Sequence, residues 1–314
     1  MPIFKKDKKD TKMTSEQEPM KGAIVLGSPR SGTTLLRRLL DSHPDLSCPG
    51  ETFLFRGCAR FIEHDTISGG FDYGVLGALE GLGYSREDVL TRLRRFAVEF
   101  YEELARKDGK SMWIAKTAVD SFYMNQIEEL FARHAKFICV LRHGLDVVCS
   151  MDEFSRDLQS YISELHHYIK KYPQPFEAFA HAWCDVTENI LEFAAKYPAQ
   201  CLIVKYEDIT SAPKDELKKI TDFLGVPLHD KKINDILKKQ NLGGIGDWKS
   251  FKKTSIETSS VNRWEKLSDA TVEQLAAICN PVLERAGYNP VKADDEDARR
   301  RKELATMMMQ ARQE

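Results

Sequence analysis

"GAIVLGSPRSGTTLLRRLLDSHP", residues 22–44, is the stretch whose reading decides the fold. The apolar run at 22–27 has the length and composition of a buried strand. A glycine-bearing turn follows. Leu35, Leu36, Leu39 and Leu40 then recur at helical spacing, and Pro44 stops the helix. A strand that turns through glycine into a helix presents backbone N–H groups and a positive helix end, and both favour phosphate. Gly27 and Gly32 have the separation of the ATP- and GTP-binding loop, but Thr33 stands where that loop carries its lysine. Arg30 lies inside the loop, and Thr33 and Thr34 offer hydroxyls. That set suits an anion with fewer charges than a triphosphate–magnesium unit. A strand–turn–helix corner with no ligand is the alternative.

Outward from the loop, strands and helices alternate. "MWIAK" at 112–116, "KFICVLR" at 136–142 and "CLIVKYED" at 201–208 read as strands. Helical patterns follow each of them, including "NQIEELFARH", 144–151, the long "FEAFAHAWCDVTENILEFAAKY" and "DELKKITDFLGVP", closed by Gly225 and Pro227. The order predicts an α/β fold, a parallel sheet of P-loop type with helices on both faces. Residues 53–110 break the rhythm and predict a mostly helical cap over the site. Residues 240–262 read as a long functional loop. The organisation is therefore a disordered tail at 1–20, one folded domain at 21–290 and a charged tail at 291–314.

Composition narrows the function classes. The chain has 314 residues, with 46 Lys+Arg against 48 Asp+Glu, so no basic excess points to nucleic acid. No apolar run approaches the ~20 residues of a membrane helix. The first 20 residues lack the apolar core of a signal peptide. The seven cysteines form no C-x-x-C pair and are odd in number. Free thiols, and hence the cytoplasm, are expected. No His-x-x-x-His, paired-Cys or Asp-rich cluster suggests a metal.

A second motif sharpens the first. "FICVLRHGLDVVCSM" puts Arg142 at a strand end and Ser150 eight residues on. Ligands bind at the carboxyl edge of such sheets, where an arginine can grip a phosphate bidentately. A lone strand-end arginine is more often a surface residue than a ligand.

The two motifs together resemble the cofactor signatures of sulfotransferases that use 3′-phosphoadenosine 5′-phosphosulfate, above all the tyrosylprotein and related bacterial enzymes. The pattern R-S-G-T-T-L-x-R-x-x-L-D-x-H-P-D runs through residues 30–45, and "AKTAVDSF", "VKYEDI", "TDFLGVP" and "SSVNRW" continue it. The resemblance implies that Arg30, Ser31, Gly32, Thr33 and Thr34 surround the 5′-phosphosulfate. It implies that Arg142 and Ser150 bind the 3′-phosphate, that Tyr206 lies near the adenosine, and that Arg263 closes over the cofactor. One departure stands out: the protein-tyrosine enzymes carry a further arginine where this chain has Phe154, and Arg156 is the candidate substitute.

Sulfuryl transfer to a hydroxyl or amine benefits from a general base and from a cation near the departing phosphate. Glu51, in "CPGETF", matches the family's catalytic glutamate, and Lys116, ending "MWIAK", matches its lysine. On position alone Glu51 reads as a first-turn carboxylate of the next helix and Lys116 as a solvated strand end. His64, His143, His166 and His167 are rival bases. A P-loop kinase using Glu207 or Asp208 for magnesium is the alternative enzyme class, and a phosphoadenosine-binding module without catalysis is the alternative outside enzymes. The acceptor is expected to be a small-molecule, lipid or peptide hydroxyl.

Overall fold

The computed structural model describes residues 21–62, 74–229, 256 and 258–292. The elements run in chain order: β1 (Gly22–Leu26), α1 (Thr33–Asp41), β2 (Leu46–Ser47), α2 (Leu54–Ile62), α3 (Gly74–Gly81), α4 (Arg86–Lys107) and β3 (Met112–Lys116). A 3-10 turn, Ala118–Tyr123, leads to α5 (Met124–Phe131), β4 (Lys136–Leu141), α6 (Gly144–Leu158) and α7 (His166–Lys171). Then come α8 (Pro175–Lys196), β5 (Cys201–Lys205), α9 (Tyr206–Ser211), α10 (Pro213–Leu224) and α11 (Asp269–Arg285). Two short 3-10 turns, Thr258–Ser260 and Arg263–Lys266, precede α11.

The sheet has five strands in the order β2-β3-β1-β4-β5, and every pairing is parallel. The strands are apolar on both faces, as a doubly covered parallel sheet requires. On β1, Ile24 and Leu26 face one core with Trp113, Ala115, Phe137 and Cys139, which α2, α4, α5 and α8 cover. Ala23 and Val25 face the other with Ile114, Ile138 and Val204, which α1, α9 and α10 cover. A third core joins α6, α7, α8 and α11 around Trp183 and Leu275. The phosphate loop therefore opens at the carboxyl edge of the central strand, where the strand order reverses.

Two elements differ from their sequence patterns. "CLIVKYED" stops being a strand at Lys205, and α9 begins at Tyr206, so the tyrosine and the two acids after it lie on a helix start. The two-residue β2 has no readable period, because its pairing with β3 depends on the return loop after α1. The described part of 53–110 packs onto the sheet. Phe55 is fully buried, with its ring centroid 4.3 Å from Phe131 and 5.3 Å from Tyr101. Burying such a side chain contributes about 1.5–3 kcal/mol, enough to hold α2 against α4 and α5. Residues 1–20, 293–314, most of 240–262 and His64 lie outside the described residues.

Candidate active site

The loop between β1 and α1 owes its shape to two residues in left-handed backbone. Arg30 has φ 73 and Gly32 φ 86. For a non-glycine residue this costs on the order of 1 kcal/mol or more, so something must hold Arg30 there. Arg142 does so, because its Nη1 donates to the Arg30 carbonyl at 2.7 Å. Gly32 is needed for a second reason: a Cβ there would lie 2.1 Å from the Tyr206 ring. The same ring faces the Arg142 guanidinium, 4.5 Å from its centroid. Loop, strand-end arginine and Tyr206 thus form one packed unit.

This unit walls a cavity of about 740 Å³. Arg30, Gly32, Thr33, Thr34, Arg142, Ser150, Tyr206, Arg263 and Glu51 line it. Ser31 and Lys116 lie just behind that wall, each 1 % exposed. Arg30 Nε donates to Ser150 Oγ at 3.2 Å, joining the two sequence motifs across the sheet edge. Lys116, at the end of β3, donates to Glu51 Oε1 at 2.5 Å and to Thr34 Oγ1 at 3.3 Å. All eleven residues singled out from sequence therefore meet at one site.

The rival assignments part from it. Glu51 pairs with Lys116, while the backbone start of α2 is met by Thr52, whose Oγ1 accepts from Leu54 N at 3.3 Å. His143 stacks on Trp264 at 5.6 Å, and burial together with Arg142 pulls its pKa down to about 4. Its backbone N–H donates to Glu207 Oε1 at 3.0 Å, and Tyr288 O–H donates to Oε2 at 2.9 Å, so one of the two carboxylates considered for a kinase is spent on structure. His166 and His167 sit on α7 outside the cavity wall. Arg156 is 74 % exposed and paired with Asp152. Phe154 instead gives the Arg30 guanidinium a ring to lie over, 4.6 Å from its centroid.

Several site residues escaped the sequence reading. Arg38 is 1 % exposed and lines the cavity. Its place four residues after Thr34 on α1 was the available signal, since residues four apart share a helix face. Arg56 also lines the cavity, lies over the Phe53 ring at 4.5 Å, and donates to Glu164 at 3.2 Å. Glu164 is buried and also accepts from Arg60 at 3.0 Å and from Tyr123 at 3.2 Å. Asp120 is 1 % exposed behind the Glu51–Lys116 pair, and burial, then the Glu51 charge, pushes its carboxyl well above the usual range. Nothing local in the sequence marks these last pairings.

The class these features define is an α/β protein with a lysine-free phosphate loop, shaped for an anion, that brings a carboxylate and an ammonium to its end. Residues 23–230 match the model of the sulfotransferase family, and the chain belongs to that family. It is similar to protein-tyrosine sulfotransferase 1 of Danio rerio, 25 % identical over 85 % of this chain and 72 % of that one. It is also similar to nodulation protein NoeE of Sinorhizobium fredii, 26 % identical over 82 % of this chain and 63 % of that one. Among solved structures, the sulfotransferase domain of the Synechococcus PCC 7002 olefin synthase superposes with a TM-score of 0.59 at 24 % identity, covering 88 % of this chain and 96 % of that one. That likeness is one of fold. The enzyme is a sulfotransferase, and it transfers a sulfuryl group.

Proposed function

We propose that the donor is 3′-phosphoadenosine 5′-phosphosulfate, held by residues 30–34 at its 5′ end and by Arg142 and Ser150 at its 3′-phosphate, with Tyr206 and Arg263 flanking the nucleotide. The residues fit such a ligand. Ser31 Oγ and Arg142 Nε are buried polar atoms without a hydrogen-bond partner, which an anion would supply. Gly32 leaves the backbone approachable. When bound, the donor supplies an activated sulfuryl group and leaves negative charge on its phosphate.

The observation that carries the proposal is the convergence of Lys116 with both Glu51 and Thr34 at the mouth of the loop. Glu51 takes the proton from the acceptor hydroxyl, a role that contributes about 10²–10⁴-fold in rate. Lys116 orients that carboxylate and sets a positive charge beside the Thr34 end of the loop, where departing charge is stabilised. No metal enters this scheme, and no cluster of metal-ligating side chains occurs among the described residues.

The acceptor is a small-molecule, lipid or peptide hydroxyl, or an amine, entering past Phe53, Arg56 and Val119. The names of the protein-tyrosine relatives make peptide tyrosine the first candidate to try. A reducing compartment, the cytoplasm, belongs to the same reading and is supported by the seven free thiols. Incubation with radiolabelled phosphosulfate donor and separate pools of tyrosine peptides, carbohydrates and phenols tests the proposal. Labelled product in one pool is expected. No transfer from this donor, with label transferred instead from γ-labelled ATP, overturns it.

A further inference from the structure

Residues 258–266 cross the mouth of the cavity as a short strap, and Ser259, Ser260, Arg263 and Lys266 line it. Trp264 is the strap's one large apolar side chain and packs against the third core, so the rest of the strap depends on polar anchors. One is Arg142, whose Nη2 donates to the Ser260 carbonyl at 2.5 Å. A second is Asp146, fully buried in the first turn of α6. Its Oδ2 accepts from Asn262 N at 2.9 Å and its Oδ1 from Trp264 N at 3.2 Å. Asn262 has left-handed backbone, φ 58, which turns two nearby N–H groups toward one carboxylate. Trp264 then lies flat on His143, next to Arg142.

An acid in a first helical turn ordinarily serves the helix dipole. Here both carboxylate oxygens go to the strap. The strap in turn grips the arginine assigned to the 3′-phosphate and carries Arg263, whose Nη2 donates to Glu153 at 2.8 Å across the cavity wall.

We propose that Asp146 is the positioning residue that seats the 258–266 strap, and that the seated strap sets this enzyme's selection for 3′-phosphorylated nucleotides. The inference rests on the donor reading above. Asp146 touches no ligand and acts through Ser260, Arg142 and Arg263. A seated strap fixes the Arg142 guanidinium from a second side, so its geometry at the 3′-phosphate is set before the nucleotide arrives. An unseated strap releases Arg142 Nη2 but leaves Nη1 on the Arg30 carbonyl, so the 5′ side, which the loop and α1 build, keeps its support.

The test is calorimetric titration of the full chain with adenosine 3′,5′-bisphosphate and with adenosine 5′-monophosphate, for the native protein and two variants. Asp146→Asn turns one acceptor into a donor facing an N–H. Asn262→Pro cannot adopt φ 58 and removes one N–H, and the exposed Asn262 side chain belongs to none of the three cores. In both variants the bisphosphate affinity is expected to fall by about 10-fold or more, and the monophosphate affinity by less than about 3-fold. Hydrogen exchange in Asp146→Asn should speed up at residues 258–266 and stay unchanged in the sheet. If Asp146→Asn fails to fold, Asn262→Pro decides alone. A native-like ratio of the two affinities in the folded variants overturns the inference, as does an equal loss for both nucleotides. A native protein that does not distinguish the two nucleotides overturns the donor reading itself, a result separable from the variants' behaviour.

Discussion

The Lys116 ammonium meets the Glu51 carboxylate at 2.5 Å, the lysine side chain fully buried and the glutamate 15 % exposed. The pair closes one crossover of the sheet, from the loop after β2 to the end of β3. A buried ion pair is weak evidence for stability, since desolvation offsets attraction. Its position at the phosphate loop gives it a different purpose: it holds a base and a cation in one place.

Glu51→Gln keeps an oxygen for Lys116 and removes the basic function. Turnover with the acceptor found in the labelling screen is expected to fall about 10²–10⁴-fold, with nucleotide affinity and melting temperature close to native. Glu51→Ala strands the lysine and should also cost about 3–5 kcal/mol of stability. Near-native kcat in a folded Glu51→Gln enzyme would remove Glu51 from the chemistry.

Lys116→Ala should lower kcat more than it weakens nucleotide binding, because charge on the leaving phosphate is largest in the transition state. Steady-state kinetics beside calorimetry separates the two effects. A loss confined to nucleotide affinity would make Lys116 a binding residue only.

Arg142→Lys keeps the charge but not the planar grip on the Arg30 and Ser260 carbonyls. The preference for adenosine 3′,5′-bisphosphate over AMP should shrink about 10- to 100-fold, the value of a charged hydrogen bond of about 1.5–3 kcal/mol. Equal loss for both nucleotides would argue that Arg142 supports the loop and does not read the 3′-phosphate.

Activity is expected to persist in excess chelator, since Lys116 and the loop supply the positive charge that magnesium supplies in kinases. Loss of activity on adding EDTA, restored by magnesium, would contradict the proposed site chemistry.

His143 makes the fold sensitive to mild acid. Its pKa lies near 4 in the folded protein against 6.5 in an ordinary environment. Below pH 6.5 the unfolded chain takes up a proton that the fold resists, so stability falls as pH drops from about 6.5 to about 4. The full effect is about 3 kcal/mol. Asp120 and Asp146, whose carboxyls are raised, push the other way over the acid range, so the slope must be read as a difference. His143→Gln should show a shallower loss of melting temperature between pH 7 and pH 5 than the native protein. Parallel curves would mean that the stacked imidazole does not titrate in this window.

The sequence by itself determined four of the five strands and the two motifs at the sheet's carboxyl edge. β1, the loop and α1 are legible because strand length, glycine placement and leucine spacing are local properties of consecutive residues. Arg142 and Ser150 are legible for the same reason: both lie on one strand–helix corner. α11 was not singled out, because its apolar stripe is interrupted and its partners on α6 and α8 lie far away in the chain. Only the tertiary structure decided the rest. It chose Lys116 over a helix start as the partner of Glu51 and turned Phe154 into a platform for Arg30. It brought Arg38 and Arg56 to the cavity wall and gave Asp146 to the strap. Each of these contacts joins residues that parallel crossovers and packed helices bring together, and no short-range pattern encodes which distant side chain will lie within hydrogen-bond reach.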